Sequence, residues 1–143
     1  EPAMMTHVHI LSRVRTLAIA IALVALMLAT SAQSGDTSVG PTLDAGRIEA
    51  ALTNGASEGV NSYDNPYTVW FLPGGRLDGV AGVDDEYVDS GQWWLEDDYF
   101  CRSWNTWLNG ETGCFQVVID GETIYWLDHL DKVTREEHYS APQ

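Results

Sequence analysis

Between Tyr67 and Leu127 the chain alternates short β-branched and aromatic segments with strong turn residues. That punctuation limits the folds open to it more than any other feature. Tyr67-Thr68-Val69-Trp70-Phe71-Leu72 is a dense strand signal, and Pro73-Gly74-Gly75 closes it with a tight turn. Arg76 to Val80 reads as the return strand. Val83 to Asp89 is acidic and reads as a loop. Gly91 to Leu95 is a third strand, with Trp93 and Trp94 on opposite faces, and Glu96-Asp97-Asp98 turns the chain. Tyr99 to Trp104 is a fourth strand, and the turn residues Asn109-Gly110 and Gly113 lead to a fifth, Cys114 to Ile119. Asp120-Gly121, a strong hairpin signal, leads to a sixth, Thr123 to Leu127. The charged tail from Asp128 onward carries no strand assignment. Consecutive hairpins predict a mainly β fold, an antiparallel up-and-down meander of about six strands. Curling makes it a half-barrel or a small lipocalin-like barrel.

One short helix is expected ahead of the strands. Thr42 to Leu52 offers Asp44 as N-cap, with Ile48, Leu52 and Ala51 facing inward, and Thr53-Asn54-Gly55 stops it. Such a helix suits the plugging of an open barrel end or the covering of a sheet edge. All six tryptophans lie between Trp70 and Trp126, which supplies a core and argues against disorder. Trp70, Trp94, Trp104 and Trp126 are expected to be more buried than the acidic run from Asp84 to Asp89.

Further upstream, Leu17 to Ala29 is 13 residues of Leu, Ala, Ile, Val and Met without interruption. Arg13 and Arg15 precede it, and the small, polar run Thr30-Ser31-Ala32-Gln33-Ser34-Gly35 follows. This is the pattern of a secretory signal, and it is short against the about 20 residues of a membrane span. Residues 1–32 are therefore expected to be a signal peptide, with cleavage after Ala32 or Ser34. Met4 or Met5 is the expected initiator, leaving residues 1–3 outside the native start. Residues 33–41 read as a flexible lead-in and 42–143 as a single small β-domain. The leader, wherever present, is expected to form a helix from about Ser12 to Ala29 with few contacts to that domain. The expected location is periplasmic or secreted, with a membrane contact only through an uncleaved leader.

From Gln33 onward the chain carries five cations and twenty acids, a formal charge of −15. Nucleic-acid binding is disfavoured, since it needs clustered Lys and Arg. A basic protein is the partner class that such a charge attracts. Cys101 and Cys114, an even pair in an exported chain, are expected to form a disulfide linking consecutive strands. They lack the Cys-x-x-Cys spacing of redox enzymes.

No motif in the chain carries established chemistry. Asp84, Asp85, Glu86 and Asp89 form the densest acidic cluster, but without the spacing of an EF-hand. With Trp93 they are the candidate contacts to a ligand or partner. His129 and His138 sit in the polar tail and read as exposed, so no metal site is expected. There is no Gly-x-Ser-x-Gly elbow, and Pro73-Gly74-Gly75 lacks the Lys-Ser/Thr of a phosphate loop. No cofactor and no catalytic residue is assigned.

Several motifs, in order, carry a family resemblance: Tyr67 to Phe71, Pro73-Gly74-Gly75, Ser90-Gly91-Gln92-Trp93, Cys101-Arg102-Ser103-Trp104, Gly113-Cys114-Phe115 and Asp120-Gly121. The chain resembles a family of short secreted proteobacterial proteins catalogued only as a domain of unknown function. The resemblance implies export and a small β fold, and it implies no activity.

The residues thus point first to an exported, non-enzymatic binding or interaction module, with a cationic protein as its partner. A small-ligand carrier of lipocalin type is one alternative, which requires an internal pocket of roughly 300 Å³ or more. A glycan-acting enzyme is the other, which requires two carboxylates converging beside tryptophan.

Overall fold

The computed structural model describes residues 39–143. The expected leader helix, its cleavage positions and most of the lead-in lie outside these residues. A short helix, α1 (Ala45–Leu52), is followed by eight strands. These are β1 (Ala56–Val60), β2 (Pro66–Leu72), β3 (Arg76–Ala81), β4 (Tyr87–Glu96), β5 (Tyr99–Trp104), β6 (Gly113–Asp120), β7 (Thr123–Leu127) and β8 (Val133–Ser140). Each strand pairs antiparallel with the next, and β8 returns to β1 to close the barrel. The closing register sets Ala56 against Ser140, Ser57 against Tyr139 and Glu58 against His138.

The mainly β, antiparallel barrel with one short helix is as the sequence suggests, but there are eight strands rather than about six. The two additional strands are β1 and β8, and they close the ring. β4 is also longer than its expected span, beginning at Tyr87 within the supposed acidic loop.

Side chains alternate along every strand, so each contributes one face to the interior. Val69 and Phe71 on β2, Leu77 on β3, Trp93 on β4, Phe100 and Trp104 on β5, Val117 on β6 and Ile124 and Trp126 on β7 form the core. The outward positions include Glu58, Asp78, Gln92, Glu136 and His138. The outer face is mixed, since Trp70, Val88 and Trp94 are exposed on it beside these polar residues. Among the described residues no helix is long and apolar enough to cross a membrane.

The tryptophans divide by parity. Trp104 and Trp126 are each 6% exposed, as expected, whereas Trp70 and Trp94 face outward at 39% and 37%. Trp93 points inward in place of Trp94, and its indole N–H donates to the Leu72 carbonyl at 3.2 Å. Adjacent residues on a strand cannot share a face, so the register that turns Trp93 in must turn Trp94 out.

α1 plugs one end. Asp44 caps it by accepting from the Arg47 backbone N–H, and Ile48 and Leu52 are fully buried beneath it. Three further hydrogen bonds pin the segment to the barrel. The Ala45 N–H donates to Asp98 Oδ1, the Leu43 N–H to the Val117 carbonyl, and the Tyr139 hydroxyl to the Ala51 carbonyl. Ile48 and Leu52 offer the apolar stripe of a single inward face, which suits a helix lying over a barrel mouth. The Cys101–Cys114 disulfide joins directly opposed positions of β5 and β6 on the outer side of the wall.

Candidate functional site: a cavity inside the barrel

In an up-and-down barrel, alternate connections lie at the same end. The 73–75, 97–98 and 121–122 turns share the end that α1 covers. The longer connections, 61–65, 82–86, 105–112 and 128–132, gather at the other end. A cavity of about 840 Å³ opens there and reaches down among the core aromatics.

The floor is aromatic and centres on Phe100. Its ring meets Phe71 edge-on at 5.6 Å, stacks on Trp93 at 5.8 Å and lies 5.0 Å from Trp126. Such contacts hold the rings in fixed positions, giving a rigid apolar surface rather than a collapsible one. Phe115 and Val69 continue this surface up the wall.

Above the floor lies a polar belt. It comprises Ser57 on β1, Tyr67 on β2, Arg102 on β5, and Arg135 and Glu137 on β8. The Tyr67 hydroxyl donates to Glu137 Oε1 at 2.5 Å, and Arg135 reaches the same oxygen at 3.4 Å. Glu137 is 5% exposed, so these two donors satisfy a carboxylate that would otherwise be costly to bury. Burial, followed by the Glu137 charge and hydrogen bond, raises the Tyr67 phenol well above its ordinary 10.0. Ser57 Oγ and Trp126 Nε1 are buried on the cavity wall and have no hydrogen-bond partner among the described residues. In a native interior nearly every such group is paired, so both are unspent polar handles.

The rim carries Tyr63, Tyr87, Trp107 and Leu108. Asp89 positions part of it. This carboxylate faces inward, is 8% exposed, and accepts from the backbone N–H groups of Thr106 at 2.9 Å and Trp107 at 2.7 Å. Burial alone would raise its pKa, but the N–H groups of Trp107, Thr106 and Ser90 outweigh it and hold the carboxyl below its ordinary value. The chain from Trp107 to Gly110 is a short 3₁₀ turn in which Leu108 and Asn109 adopt positive φ. Trp107 packs on Trp104 with ring centroids 4.8 Å apart, over Gly79. A Cβ at Gly79 would lie 2.6 Å from the Trp107 ring, so this position takes glycine to seat the pair.

The candidate contacts singled out in the sequence do not form one site. Asp84, Asp85 and Glu86 are exposed on the β3–β4 connection, where Glu86 accepts from the Asp84 backbone N–H. Asp89 belongs to a different environment, as a buried anchor for the Thr106–Trp107 backbone. Trp93 has no exposed face to offer a partner. Among the described residues the group of potential metal ligands within mutual reach is Glu96, Cys101 and Cys114, and both of its sulfurs are committed to the disulfide. The belt residues Tyr67, Arg102, Arg135 and Glu137 escaped the sequence reading. The available signal was a tail in which Arg135, Glu137 and Tyr139 recur at every second position.

Comparison with family models, with characterised proteins and with solved structures finds no match to this chain.

Proposed function

We propose that this protein binds a small, largely apolar molecule inside its barrel, as a carrier or receptor without catalytic activity. The observation that carries the reading is the cavity of about 840 Å³, open at one end of the barrel and floored by Phe71, Phe100 and Trp126. Pockets that bury most of a small organic ligand span roughly 300–1,000 Å³ and combine an apolar lining with a few fixed polar groups. The aromatic floor and the polar belt supply both. Small eight-stranded barrels either fill their interior with side chains or hold one small ligand, and the space here supports the second outcome. The leader pattern and the disulfide support a location in the periplasm or outside the cell.

The direct test is titration with N-phenyl-1-naphthylamine, a neutral apolar fluorophore. Saturable one-to-one binding with a rise in its emission and quenching of tryptophan is the expected result. An emission that grows linearly with probe and never saturates would overturn the reading.

Docking to a basic protein remains a second reading, favoured by the charge of −15 from Gln33 onward. A pull-down against cationic secreted hydrolases at low salt tests it, and recovery of none of them counts against it.

A further inference from the structure

Two of the five cations downstream of Gln33, Arg102 and Arg135, lie in the cavity wall. In a segment that carries fifteen excess negative charges from Gln33 onward, this placement is costly and calls for a reason. Arg135 has one, its contact with Glu137 at 3.4 Å. Arg102 does not. Among the described residues its guanidinium makes no hydrogen bond and no ion pair, and it lies over the face of Phe115, 5.4 Å from the ring centroid. Arg102 projects inward from the middle of β5, between Phe100 and Trp104, and is only partly exposed. Burial acts against its charge, as does the neighbouring Arg135, and the field of Glu137 and Tyr67 offsets part of this without outweighing it. A guanidinium nevertheless stays protonated in proteins, so the charge persists, with no ion pair of its own and only a share in the field of Glu137, which Arg135 already contacts.

The belt holds two guanidinium charges against the single carboxylate of Glu137, an excess of one positive charge. Ser57 Oγ and Trp126 Nε1, both buried and unpartnered, face the same space. Arginine and indole N–H groups are donors only, and a serine hydroxyl can donate. The unspent capacity of the cavity is therefore donor-rich and positive by one unit. The walls below and above it are aromatic.

We infer that the cavity takes a monocarboxylate with an apolar body, its carboxylate paired with Arg102. This deepens the ligand-binding reading and rests on it. A planar carboxylate meets a guanidinium through two parallel hydrogen bonds, which gives orientation as well as affinity. The long-range field of this acidic protein disfavours anions in general, so selectivity for a carboxylate has to arise locally, at the belt.

The test uses three probes of equal chain length, decanoate, decan-1-ol and decyltrimethylammonium, each competing with N-phenyl-1-naphthylamine on the intact domain. Decanoate is expected to bind at least about tenfold more tightly than the alcohol, and the ammonium most weakly. The net charge alone predicts the opposite order for the two ions. In Arg102→Gln the acid-to-alcohol ratio should fall to about one. Equal affinity of the acid and the alcohol for the unaltered protein would overturn the inference, as would a ratio that survives in Arg102→Gln. The comparison on the unaltered protein decides the matter even if the variant does not fold. If the naphthylamine binds but the three probes do not separate by charge, the carboxylate assignment alone falls. If the naphthylamine does not bind, the ligand-binding reading falls, and the assignment with it.

Discussion

The Tyr67 hydroxyl donates to Glu137 Oε1 across the inner face of β1, tying β2 to β8, two strands that are not neighbours. Gly59 on β1 makes the crossing possible, because a Cβ there would lie 2.6 Å from the Tyr67 oxygen. The bond thus links the strands on either side of the one that completes the ring, and it does so beside the cavity.

Tyr67→Phe leaves a buried carboxylate with Arg135 as its remaining side-chain partner. The expected loss is about 1–3 kcal/mol of folding stability, the cost of stripping a hydrogen bond from a buried polar group. Urea unfolding measures it, and an unchanged midpoint would show that the bond contributes nothing.

The raised pKa of Tyr67 has a consequence at alkaline pH. A phenol that holds its proton more tightly in the folded state than in the unfolded one contributes stability that is complete below pH 10.0, its ordinary value. That contribution is lost as the pH climbs beyond it. Burial shifts Tyr139 in the same direction. Thermal unfolding is expected to show a falling midpoint above about pH 10, and the fall should be shallower in Tyr67→Phe.

Asp89 supplies the acid-side counterpart. Its carboxyl is held below the ordinary 3.8, so its contribution is present above that pH and fades as the pH drops further. Asp89→Ala strands the Thr106 and Trp107 N–H groups and is expected to free the rim segment 105–112. Limited proteolysis should then cut within that segment at neutral pH, where the unaltered protein resists. Equal resistance in both would show that the Trp104–Trp107 packing suffices without the carboxylate.

Removal of the disulfide by paired Cys101→Ser and Cys114→Ser substitutions opens a loop of 12 intervening residues. Chain entropy puts the cost at roughly 3 kcal/mol. The barrel should still form, because the β5–β6 register also includes Phe100 against Phe115 and Arg102 against Gly113. Circular dichroism of the double variant reports the fold, and its melting temperature reports the cost.

Much of this architecture is legible in short stretches of the chain. Asp44, Ile48, Leu52 and Gly55 specify a capped helix with one apolar face, and the structure has that helix. Tyr67 to Leu72 and the Pro73-Gly74-Gly75 turn specify a hairpin strand, and Asp120-Gly121 specifies another. Each of these signals is local, resting on backbone preferences within a few residues.

β1 and β8 are different. β8 reads Val-Thr-Arg-Glu-Glu-His-Tyr-Ser, and its inward residues Arg135, Glu137 and Tyr139 are as polar as its outward ones. Alternation reveals a strand only when one face is apolar, and this strand faces a cavity that it helps to make polar. β1 hides for a related reason, since its inward positions are Ser57 and Gly59. Pairing between the two, from opposite ends of the domain, turns an open meander into a ring. The same closure sets which tryptophan of the Trp93-Trp94 pair faces inward, and it gathers Tyr67, Arg102 and Glu137 from three separate strands. Local preferences can specify strands and turns, but an interior space exists only once distant strands have met around it.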